Sequence, residues 1–178
     1  IHENLMLGQD GEIPPGAVAV FDHLPPGVQR GLRRAWSDMS APGDAEAYRA
    51  AYGKILDTLR RMRERGILII PGTDLGGSFA YHRELELFAQ LGYTPAEVLK
   101  LATLDMATYL GEGESSGSIE RGKRADFFLV PGDPTQDLST LRKIRAVVNG
   151  GTLYFPSEIY PHFGIRPFTE APPVAKPD

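Results

Sequence analysis

Two side chains combine a chemically useful type with a useful setting: Asp74 and His82. Asp74 stands in Pro71-Gly72-Thr73-Asp74-Leu75-Gly76-Gly77-Ser78, directly after the apolar run Ile67-Leu68-Ile69-Ile70. An uninterrupted apolar run fits a strand buried on both faces, as in a parallel sheet. Such sheets gather ligands and catalytic groups just beyond the carboxyl ends of their strands. A carboxylate there can ligate a metal ion or take a proton from a metal-bound water. The neighbouring glycines allow a ligand to approach the backbone closely. The competing reading of Asp74 is an Asx turn, in which the side chain caps its own loop. His82 follows eight residues later, at the start of a helical pattern. It can face the same pocket as a substrate contact, or it can cap or solvate the helix start.

Other candidates have simpler explanations. Glu84 and Glu86 lie near a helix start, where the helix dipole favours acidic side chains. The glycines from Gly72 to Gly77 match neither the dinucleotide nor the Walker spacing, and the Walker Lys is missing. His2, His23 and His162 are isolated, and none forms the His-x-His or His-x-x-x-His pair that grips a metal. No nucleophile elbow is present. The chain has no cysteine, which excludes disulfides and Cys-based zinc sites. Net charge is −4 without a basic stripe, so nucleic acid is not an expected partner. No apolar run is long enough to span a bilayer, so a membrane is not expected either. The chain opens on Ile1 without a signal-peptide pattern and reads as a trimmed segment of a longer, soluble protein, its compartment left open.

The elements that must position Asp74 are legible from Asp44 onward. Tyr48, Ala51, Tyr52, Ile55, Leu56, Leu59 and Met62 recur at helical spacing and form one apolar stripe. Asp44 is the expected N-cap, and Gly66 the left-handed stop. The cluster Arg60, Arg61, Arg63 and Arg65 fits a solvated helix end, where cations meet the negative end of the dipole. A helix feeding an apolar strand is one step of an α/β fold. Tyr81 to Leu91 reads as a helix closed by Gly92. Thr94-Pro95-Ala96-Glu97 opens another with a capping box, and a further helical piece runs from Asp105 to Leu110. Gly117 to Glu120, Asp126 to Val130, Ile144 to Asn149 and Thr152 to Phe155 are β-prone, with a hairpin signal at Gly150-Gly151. The first 43 residues are irregular, with a short strand at Ala17 to Phe21 and a short helix at Gln29 to Trp36. The proline-rich tail from Pro156 fits an extended strap or disorder.

Four phrases together resemble one family. They are Pro71-Gly72-Thr73-Asp74; Tyr81-His82-Arg83-Glu84-Leu85-Glu86-Leu87; Leu91-Gly92-Tyr93-Thr94-Pro95-Ala96-Glu97-Val98-Leu99 with Ala102-Thr103; and Gly117-Ser118-Ile119-Glu120-Arg121-Gly122-Lys123-Arg124-Ala125-Asp126, continuing through Gly132-Asp133-Pro134 to Val147-Val148-Asn149-Gly150-Gly151. In this order they resemble the amidohydrolase superfamily, especially its imidazolonepropionase-like and Xaa-Pro-dipeptidase-like branch.

The resemblance implies an α/β fold: the C-terminal segment of a metal-dependent (β/α)₈ TIM barrel, plus part of a small β-sandwich. Residues 1–112 would belong to the barrel, 113–155 to the sandwich and 156–178 to the tail. It places Asp74 at the last barrel strand, as a metal contact that shuttles a proton from the attacking water to the leaving amine. It places His82 near the substrate and makes Asp126 structural. The implied activity is hydrolysis of C–N bonds in cyclic amides or dipeptide-like small molecules, with a divalent metal, zinc by expectation, as cofactor.

The family's His-x-His, its bridging carboxylated Lys or Glu and its two later His ligands have no counterpart in this sequence. A whole barrel needs ~250 residues, and a catalytic zinc needs about three protein ligands. The alternative is therefore that the chain by itself is a metal-free, non-catalytic association module. Its partners would be the missing N-terminal half of the barrel, a second copy in a homo-oligomer, or chaperones.

Overall fold

The computed structural model describes residues 3–74 and 78–173, which fall into two compact units, Ile1–Tyr93 and Thr94–Asp178. His2 and the glycines Gly76 and Gly77 lie outside the described residues.

The first unit contains α1 (Glu3–Leu7), α2 (Pro26–Leu32), α3 (Asp44–Glu64) and α4 (Ser78–Gln90). The stripe read from the sequence does form a helix, and Tyr52 and Leu56 are its buried residues. Its N-cap is not Asp44 but Gly43, in the left-handed region at φ 92°. Asp44 occupies the first helical position, where its Oδ2 accepts from the Ala41 N–H at 3.2 Å. At the other end, the Gly66 N–H donates to the Arg63 carbonyl and the Ile67 N–H to that of Met62. With Gly66 at φ 70°, this pairing is the expected glycine stop. Two of the arginines there do more than meet solvent. The Arg63 guanidinium lies 4.5 Å from the centre of the Tyr93 ring, and Arg60 Nε donates to the Gln90 carbonyl at 3.0 Å. These contacts tie the end of α3 to the end of α4.

Three local expectations are corrected in this unit. Ala17 to Phe21 is not a strand but part of two 3₁₀ turns, Pro15–Ala17 and Phe21–His23. Ala17, Val20 and Phe21 are buried at turn spacing rather than in alternation. The short helix begins earlier, at Pro26, because a proline is pre-organised for the first helical turn. Ile67 to Ile70 has no regular secondary structure and pairs with no strand among the described residues. Ile67 and Leu68 are 46% and 52% exposed. A strand inside a parallel sheet needs partners on its edges, and none of the described residues supplies one.

In the second unit, α5 (Pro95–Lys100) opens with the capping box foreseen from Thr94 and Glu97. The Glu97 N–H donates to Thr94 Oγ1 at 3.2 Å, and the Thr94 N–H to Glu97 Oε2 at 2.7 Å. The helix continues through a π-type turn at Leu101–Asp105 into α6 (Met106–Tyr109), and Gly111 at φ 77° ends it. The β module is an antiparallel meander of β1 (Phe127–Leu129), β2 (Ala146–Asn149) and β3 (Thr152–Tyr154), in the order β1-β2-β3. Asn149 pairs with Thr152 around Gly150-Gly151, so the hairpin forms as expected. Gly117 to Glu120 is not a strand. It is a turn pressed against the helical run, because a Cβ on Gly117 (φ 85°) would meet the Ala107 Cβ at 2.6 Å and the Thr103 carbonyl at 3.0 Å. The tail begins neither extended nor unstructured. Pro156 starts a helical turn, α7 (Pro156–Ile159), followed by a 3₁₀ turn at Tyr160–Phe163.

Gly117→Ala should accordingly lower stability by about 1–3 kcal/mol from overpacking, with the left-handed backbone adding to the loss. Chemical denaturation checks this, and the change should appear in the midpoint.

Candidate functional site

Asp74 sits on a bend three residues beyond the fully buried Pro71. Gly72, Thr73 and Asp74 are all exposed, and a side chain on Gly72 would meet nothing within 4 Å. The Asp74 side chain therefore reaches solvent. His82 lies on the second turn of α4 and is buried at 9% exposure, with its ring 6.4 Å from that of Phe79 in an edge-on arrangement. Burial of this kind removes the reading of His82 as a solvated helix cap. Among the described residues, no three His, Cys, Asp or Glu side chains are grouped so as to hold a metal ion. Asp74 thus does not make a metal site from this chain's described residues alone. An open cavity of about 650 Å³ lies in the second unit, lined by Met106, Leu110, Ile119, Phe127 and Phe128 among others. Neither Asp74 nor His82 belongs to it.

Sequence reasoning missed the strongest electrostatic feature of the first unit. Arg83 grips Glu3 with both arms of its guanidinium, Nε to Oε2 at 2.8 Å and Nη2 to Oε1 at 2.7 Å. Its remaining Nη1 donates to Glu86 Oε2 at 3.0 Å. The Glu3 side chain is only 6% exposed and Arg83 27%. Paired forks of this kind are the strong form of ion pair. The hydrogen bonds it donates to Glu3, ahead of the opposing effect of burial, hold the Arg83 guanidinium well above its ordinary range. Glu86 is thus a hydrogen-bonded partner, and Glu84 a buried carboxylate, rather than surface charges serving the helix dipole. Burial, and then the Glu3 charge, push the Tyr52 hydroxyl up to about 12. Tyr81 is shifted upward too, by burial and then by Glu84. Nothing in local spacing could have revealed the pair, since Glu3 and Arg83 lie 80 residues apart.

The model of the amidohydrolase family matches residues 49–153, more than half of the chain and the part that carries both Asp74 and His82. The chain belongs to the amidohydrolase family. Its similarity to curated members is partial. An imidazolonepropionase from Caldanaerobacter subterraneus is 36% identical over 76 residues, which cover 40% of this chain and 18% of that protein. One from Brevibacillus brevis is 33% identical over 102 residues, covering 53% and 24%. Among solved structures, a Xaa-Pro dipeptidase with methionine bound in its active site is 32% identical. It matches with a TM-score of 0.55 over 64% of this chain and 29% of its own. A second structure, described as an amidohydrolase, is 27% identical with a TM-score of 0.54, covering 78% and 33%. The chain therefore spans between about a fifth and a third of these amidohydrolases. Its described part is a mixed helix and strand segment of such a fold, and none of its helices is long and apolar enough to cross a membrane.

Two outcomes follow from this geometry. Arg83→Ala strands the Glu3 carboxylate in a nearly dry site and should cost stability near the low end of about 3–5 kcal/mol, since Arg83 keeps some exposure. Asp74→Asn, on an open bend, should change the stability of the chain by no more than about 0.5 kcal/mol. Urea titrations followed by circular dichroism measure both.

Proposed function

We propose that this chain supplies the last barrel segment and part of the β-sandwich of a metal-dependent hydrolase of C–N bonds, acting on cyclic amides or dipeptide-like substrates. Residues 1–112, 113–155 and 156–178 then divide into barrel portion, sandwich segment and tail. The substrate class is drawn from the relatives, which are named as imidazolonepropionases and a Xaa-Pro dipeptidase. The observation that carries the reading is the exposed carboxylate of Asp74, on an open glycine-bearing bend inside the family match. In the proposed reaction Asp74 accepts the proton from the attacking water as its oxygen bonds to the carbonyl carbon. It returns that proton to the nitrogen as the C–N bond breaks, leaving a carboxylic acid and an amine. His82 contacts the substrate beside Phe79. The expected metal, zinc, needs further ligands, and these would come from residues other than the described ones of this chain.

The exposed Ile67 and Leu68 favour a complementary reading for the chain on its own. By itself it is an association module whose apolar run seeks the rest of the barrel or a second copy.

In an enzyme that carries the complete barrel, Asp74→Asn should lower kcat by about 10²–10⁴-fold while the circular dichroism spectrum stays unchanged. Full activity in that variant would sink the assignment of Asp74. Elemental analysis of the 178-residue chain alone should find no stoichiometric zinc, and an active, zinc-loaded monomer would contradict the association reading.

A further inference from the structure

Three parts of the first unit meet at one ion pair. Arg83 stands on the second turn of α4, next to His82 in the chain, and its fork closes on the Glu3 carboxylate of α1. Its third arm holds Glu86, one turn further along the same helix. The 3₁₀ turn at Pro15–Ala17 lies against the pair through Gly16. A Cβ on Gly16 would be 2.9 Å from Glu3 Oε2 and from Asn4 Oδ1, and 3.3 Å from Arg83 Cγ. Those distances leave no room for a side chain, so the glycine is what lets the turn close over the fork. The other end of α4 is held separately, by Arg60 on the Gln90 carbonyl.

Neighbouring residues of an α-helix stand at a fixed angle of about 100° to each other around its axis. Whatever sets the azimuth of Arg83 therefore also sets that of His82. His82 is buried, with the Phe79 ring edge-on to it, and a rotation or slide of α4 would lose that place. The fork resists such a movement, because parting it leaves the Glu3 carboxylate unpaired in a nearly dry site. We propose that Glu3 and Gly16 are positioning residues for His82: acting through Arg83, they fix α4 on α1 and hold the imidazole in its buried place. For its consequence in catalysis this rests on the reading of His82 as a substrate contact. The consequence is one of binding, since a substrate then meets an imidazole already oriented and the complex bears no ordering cost for it.

The 178-residue chain tests the positioning itself. Carbethoxylation of His82 by diethyl pyrocarbonate, followed by mass spectrometry of its peptide, reads its accessibility against the exposed His162 as internal reference. Glu3→Gln removes the charge and keeps the shape, whereas Gly16→Ala pushes on the fork without deleting any of its groups. Both should raise the rate at His82 about tenfold, the effect of losing one charge-assisted hydrogen bond. Arg60→Ala loosens the far end of α4 and should leave that rate unchanged. A native rate at His82 in either Glu3→Gln or Gly16→Ala overturns the proposal, and so does an equal rise in Arg60→Ala. In an enzyme that carries the complete barrel, Glu3→Gln should raise KM for a Xaa-Pro dipeptide with little change in kcat, and His82→Gln should raise it at least as much. The double variant should be no worse than His82→Gln alone, because Glu3 acts through His82. A KM that neither single variant moves would remove the substrate contact assigned to His82, whereas a KM raised by His82→Gln alone overturns the positioning.

Discussion

A carboxylate at the end of a β-strand can take part in catalysis only if the strand is held, because the sheet fixes where the loop beyond it points. In this chain the run leading to Asp74, Ile67 to Ile70, pairs with no strand among the described residues. Its first two side chains are about half exposed. Exposed Ile and Leu side chains are costly in water, and neighbouring strands would cover them. Under the proposed function, the strands that would cover Ile67 and Leu68 would also bring Asp74 the companions that a metal ion needs.

The first unit nevertheless has its own means of cohesion. The fork between Arg83 and Glu3 pins α1 to α4 across 80 residues, and Arg60 and Arg63 join the ends of α3 and α4 through Gln90 and Tyr93. Buried side chains on α4, including Leu85, Leu87 and Phe88, supply the apolar part. The helices flanking Asp74 are therefore held by contacts that do not require a sheet. Such a unit can keep its helices and still present an open loop at Asp74.

What the sequence revealed follows the range of the forces involved. The stripe from Tyr48 to Met62, the capping box at Thr94 and Glu97, the glycine stops at Gly66, Gly92 and Gly111 and the hairpin at Gly150-Gly151 are all local, and each forms as read. The misreadings are those that needed a partner. Ile67 to Ile70 has a strand's composition but no strand beside it, and Ala17 to Phe21 buries its side chains at turn spacing instead. Gly117 stands at the edge of a β-prone run in the sequence, whereas its role in the structure is a close approach to Ala107. The Glu3–Arg83 pair and the enclosed Tyr52 were invisible, because no pattern relates residues so far apart. At the candidate site, Asp74 and His82 could be singled out from spacing and family phrases. The burial of one and exposure of the other could not.

Under the proposed function, the Asp74 loop becomes a site only when the run before it gains strand partners. Hydrogen exchange at the amides of Leu68, Ile69 and Ile70 measures this directly, since protection follows the pairing of each N–H. Rapid exchange is expected in the 178-residue chain and strong protection in a protein that carries the complete barrel. Equal exchange at these amides in the two proteins would contradict it.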